Sequence, residues 1–98
     1  MNIHLVIFVS SLNYETEAAT MQKTFVSTFR PMEGDIIDDP GFSPHFHNGY
    51  EVVQVTINYA TEQCWVSLAP LVLELEEISV AEYVEHLKAH GWQSLPEM

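Results

Sequence analysis

The residues of this chain best suited to chemistry are His45, His47 and Glu51. Two histidines one residue apart on an extended segment project to the same side, and a carboxylate four residues beyond, across a turn, completes three ligands for a divalent transition metal. A second set comes near the C-terminus, where His86 and His90 stand at i, i+4 on a predicted helix with Glu82 one turn earlier, again a spacing that can hold a metal. Both sets have a plainer reading. The first is then a polar hairpin arm, and the second a pair of histidines that interact favourably with a helix C-terminus while the opposite face packs. No nucleophile constellation accompanies them. Cys64 lacks a base nearby in sequence, no serine sits in a GxSxG elbow, and the four glycines form neither a phosphate-binding loop nor a dinucleotide fingerprint. The carboxylates of Asp38-Asp39 and of Glu74, Glu76 and Glu77 could do acid and base work, but their turn and strand-end positions read as a solvated face.

The string Pro40-Gly41-Phe42-Ser43-Pro44-His45-Phe46-His47-Asn48-Gly49-Tyr50-Glu51 is similar to the first half of the cupin metal motif, in which a glycine precedes an HxH pair and a glutamate follows three or four residues later. The resemblance covers these residues alone. It implies a metal-dependent small-molecule enzyme or sensor on a jelly roll, with His45, His47 and Glu51 as ligands.

The elements that must position these groups centre on residues 50–69, the densest apolar stretch of the chain. Val53, Val55, Ile57 and Tyr59 alternate with Val52, Gln54, Thr56 and Asn58, the period of 2 of a strand with one buried face. Residues 60–63 turn the chain, and Cys64, Val66 and Leu68 resume the pattern opposite Trp65, Ser67 and Ala69. Upstream, Asn48-Gly49 is a hairpin signal that calls for a preceding strand.

At the N-terminus, Ile3 to Val9 is a nearly continuous β-branched and aromatic run, suited to a central strand covered on both faces. Between residues 13 and 25 a short helix capped by Asn13 competes with a strand from about Met21 to Arg30; the Thr, Val and Phe content of residues 24–29 favours the strand. Pro31 interrupts pairing, Met32-Glu33-Gly34-Asp35 reads as a tight turn, and Ile36 and Ile37 return to the core. After Pro70, Leu71, Leu73 and Leu75 face inward. Ser79 with Glu82 forms a capping box, Val80, Tyr83, Val84 and Leu87 make an i, i+3, i+4, i+7 stripe, and Gly91 stops a helix of about residues 80–90 that Trp92 pins.

Composition bounds the function. Ninety-eight residues with 47% apolar content suffice for one domain over residues 1–98 and one core. Lys23, Arg30 and Lys88 face fourteen acidic residues, a net charge of −11 that disfavours nucleic acid and anionic membranes. One cysteine, an apolar N-terminal run without preceding basic residues, and no stretch long enough to span a bilayer predict a cytoplasmic protein.

The expected fold is α+β: a mainly antiparallel, strongly curled sheet of five or six strands, small and barrel-like, with one C-terminal helix and a meander order. The expected function is a non-catalytic protein-interaction or accessory module, with no cofactor, acting on a protein partner or on itself as a homodimer. Two other readings stand beside it: a cupin-like metal-dependent enzyme or sensor using His45, His47 and Glu51, and an acidic mimic of nucleic acid that occupies a basic protein.

Overall fold

A computed structural model describes residues 1–11, 18–42, 49–73 and 79–95. Among these residues the chain forms seven strands and one helix, in the order β1 (Asn2–Ser11), β2 (Ala18–Val26), β3 (Ile36–Ile37), β4 (Tyr50–Asn58), β5 (Gln63–Leu68), β6 (Leu71–Leu73), α1 (Val80–Lys88) and β7 (Gln93–Ser94). The fold is α+β, a strongly curled, half-barrel sheet with one short helix.

The sheet is mixed rather than mainly antiparallel. Its order is β3-β4-β5-β1-β2-β7, with β6 also paired to β1. β1 pairs antiparallel with β2 on one side and parallel with β5 and β6 on the other. A meander is therefore excluded: β1 takes the centre, and its second neighbour comes from the far side of the chain. β5 and β6 behave as one strand broken at Ala69 and Pro70. From Val6 to Val9 β1 advances three residues while its partners advance four, from Ser67 to Leu71. The extra residue falls where Pro70 has no N–H to give the ladder.

The central position of β1 follows from its apolar run, but only one face is covered. Ile3, Leu5, Ile7 and Val9 are buried, while Phe8 on the other face is 45% exposed. The β4–β5 hairpin forms as its alternation requires, with Cys64, Val66 and Leu68 buried. A bulge between Val52 and Gln54 changes the expected facing of β4. It lets Val52 be fully buried and turns Val53 outward, after which Val55 and Ile57 face in.

A strand forms over residues 18–26 rather than a helix, but it is displaced from the expected Met21 to Arg30: β2 begins at Ala18 and ends at Val26, so residues 27–30 lie beyond it. The tight turn at Met32–Asp35 also forms: Asp35 N–H donates to the Met32 carbonyl at 3.0 Å, and Gly34 carries the positive φ of 92° that its turn position needs. β3 lies beside β4, with Ile37 opposite Tyr50, so the strand paired to the start of β4 is Ile36–Ile37, and the Asn48-Gly49 turn expected between residues 47 and 50 falls partly outside the described residues. Asn48 is the part outside them. Gly49 has φ of 71°, and a Cβ there would collide with the Ile37 carbonyl.

α1 starts on Ser79, whose hydroxyl accepts the Glu82 N–H at 3.1 Å, and Gly91 follows it at φ of 93°. Val80, Tyr83, Val84 and Leu87 are buried against the inner face of the sheet, chiefly on β1, β2 and β7. Trp92 is buried just beyond, and the chain then adds β7 to the β2 edge, a strand too short to show a period in the sequence.

Candidate functional site

Of the proposed metal triad, His45 and His47 lie outside the described residues. Glu51 is exposed on β4, where its backbone pairs with Ile36 and its carbonyl accepts from Ala69 N–H at 2.8 Å. The helical pair is committed locally. His90 Nδ1–H donates to the His86 carbonyl at 2.9 Å, and the two rings sit 4.8 Å apart with His86 Nε2 buried and unpartnered. Among the described residues no group of three or more His, Cys, Asp or Glu side chains converges as metal ligands.

Asp39 departs from its expected place in a solvated turn. Its side chain is 9% exposed and gathers three donors: Lys23 Nζ at 2.8 Å, Gly41 N–H at 2.8 Å and Trp92 Nε1–H at 3.0 Å. Burial works to raise the Asp39 carboxyl, but the bonds from Lys23, Trp92 and Gly41, together with the Lys23 charge, outweigh it and hold the group below the usual carboxylate range. Around this knot the core is aromatic. Phe42 meets Tyr50 edge-on at 4.7 Å and Trp92 at 5.6 Å, and Tyr50 and Tyr83 join hydroxyls at 3.3 Å. Burial first, and then the Tyr83 bond, push the Tyr50 phenol far above its ordinary value. Cys64 is likewise fully buried and its thiol is raised by burial, which fits the small buried hydrophobe expected of it.

The outer face of the sheet is different in kind. Register places Thr56, Trp65, His4 and Thr24 in one row across β4, β5, β1 and β2, and Gln54, Ser67, Val6 and Gln22 in the next. Neither row contains an Asp, Glu, Lys or Arg, although the chain carries a net charge of −11. A continuous polar chain braces this face. Gln63 Nε2 donates to the Thr61 carbonyl at 3.2 Å, which turns Gln63 Oε1 toward His4 Nε2 as its acceptor. With its proton on Nε2, His4 accepts at Nδ1 from the Thr24 hydroxyl at 2.8 Å, and that hydroxyl in turn accepts from Gln22 Nε2 at 3.1 Å. The His4 ring stacks on Trp65 with centroids 5.2 Å apart, and Trp65 remains 39% exposed. Trp65 thus packs against a ring that the polar chain holds in place.

The strands β1, β4 and β5 are legible in the sequence, and β2 only with displaced bounds, but this face is not, because pairing between β1 and β5 is non-local. A usable signal was present: within β1, β2 and β5 the only charged residue is Lys23, so the acids fall outside these three strands. Comparison with protein-family models, curated proteins and solved structures gives no match for this chain.

Proposed function

We propose that this protein is a non-catalytic interaction module whose contact surface is the outer face of the sheet around Trp65 and His4, and that its first partner is a second copy of itself. The observation that carries the reading is the absence of charged side chains from those two rows in a chain of net charge −11. Two such chains repel one another over most of their surfaces, and an uncharged patch is where they can meet at least electrostatic cost. Trp65 supplies the kind of rigid, half-exposed aromatic that dominates contact energies, ringed by Thr, Gln and Asn groups able to hydrogen-bond across an interface.

Sedimentation velocity tests this directly. Wild-type protein is expected to dimerise with rising concentration, and Trp65→Glu, which places a charge at the centre of the face, is expected to stay monomeric while keeping the same circular dichroism. A Trp65→Glu protein that dimerises as the wild type does contradicts the assignment.

A further inference from the structure

The inner face of the sheet carries a second feature, independent of the contact face. α1 covers the part formed by β1, β2 and β7, while Val55 and Ile57 of β4 are only partly covered. Over them runs the segment after β2, clipped down by Gly34 N–H to the Val52 carbonyl at 2.9 Å and by Val52 N–H to the Asp35 carbonyl at 2.8 Å. Between floor and clip opens a cavity of about 350 Å³, lined by Arg30, Pro31, Met32, Glu33, Val55 and Ile57. Four of the six side chains are apolar, and the volume lies within the range of about 300–1,000 Å³ usual for small-molecule sites.

Arg30 is distinctive among the cations. Lys23 is bound to Asp39 at 2.8 Å and Lys88 lies 3.8 Å from Glu85, whereas Arg30 has no carboxylate partner among the described residues. Its charge reaches the buried thiol of Cys64, the cross-strand neighbour of Ile57, and there opposes the upward effect of burial. Arg30 lines the cavity together with Val55 and Ile57 of its floor. In so acidic a protein, a guanidinium that forms no ion pair with a carboxylate among the described residues, set beside apolar walls, is a place built for an anion with an apolar body. Glu33 on the same rim sets a limit, since its negative charge opposes a second charge on the ligand.

We infer that this cavity binds a small monocarboxylate, its carboxylate on Arg30 and its hydrocarbon or aromatic body against Val55, Ile57 and Met32. Octanoate is a suitable probe, with octanol and inorganic phosphate as the uncharged and the multiply charged comparisons. In ¹H–¹⁵N spectra of the full chain, octanoate is expected to shift the amides of Val55, Ile57 and Met32, and to bind about ten-fold or more tightly than octanol, the usual effect of a charge-assisted bond. Arg30→Gln, at an exposed position, should reduce octanoate to the affinity of octanol and leave octanol unchanged. Glu33→Gln should tighten octanoate and admit phosphate. Octanoate shifts that lie elsewhere, undiminished octanoate binding in Arg30→Gln, or phosphate competing equally in the wild type would each overturn the inference. Because Trp65→Glu alters the opposite face, it should leave octanoate binding unchanged, so this result and the outcome for self-association are read separately.

Discussion

Asp39 ties together three parts of the chain that are distant in sequence: the β2 strand through Lys23, its own turn through Gly41, and the tail through Trp92. Removing the carboxylate leaves the buried Trp92 N–H without its acceptor, so Asp39→Ala is expected to lower the unfolding free energy by about 2 kcal/mol. Urea denaturation checks it. The same group makes a pH prediction with a definite sign. Its folded pKa is depressed, so the stabilisation is fully present above the unfolded carboxyl value of about 3.9 and is lost as pH falls through the lower folded value. The stability difference between wild type and Asp39→Asn should therefore shrink on acidification below about pH 4 and stay constant between pH 5 and 7. From sequence, Asp38-Asp39-Pro40-Gly41 has the composition of an exposed turn, and nothing local reveals that one of its carboxylates is drawn inward by an indole at residue 92. The candidate metal ligands illustrate the converse. His86 and His90 have a spacing that suits a metal, yet the helix uses the His90 ring as a local cap on the His86 carbonyl.

At the scale of elements, local signals were legible where the element's own residues determine it. The α1 stripe and its Ser79 cap, the β4–β5 alternation and the Met32–Asp35 turn all follow from contacts within a few residues. What escaped is set by partners. The bulge at Val53 appears only once β5 is laid against β4, and it moves Val52 rather than Val53 into the core. The parallel pairing of β1 with β5 leaves no local trace, although a central apolar strand with one sequential neighbour requires a second from elsewhere. β7 pairs through two residues, too few to show a period. Two substitutions test the elements that are understood. Ser79→Ala should cost about 1 kcal/mol through loss of the α1 cap. Gly49→Ala should cost more than about 1 kcal/mol, because φ of 71° is strained for alanine and its Cβ would strike the Ile37 carbonyl, displacing β3 from β4. Thermal unfolding of both variants gives the comparison.

On the scale of the whole molecule, charge and curvature divide the labour. The curled sheet buries a core under α1, opens a cavity beside Arg30 on its inner side, and presents uncharged rows on its outer side. Net charge of −11 gives self-association an unusual salt dependence: screening weakens repulsion between copies, so raising ionic strength should tighten the dimer. A basic partner bound by the acidic surface would instead be released by salt, which separates this account from a nucleic-acid mimic. The most direct test of the outer face as the contact surface is a concentration series of ¹H–¹⁵N spectra of the wild-type protein. Shifts and broadening gathered on His4, Thr24, Thr56 and Trp65 are what the account predicts. Changes gathered on α1 or the β3 edge, with those four residues unmoved, would contradict it.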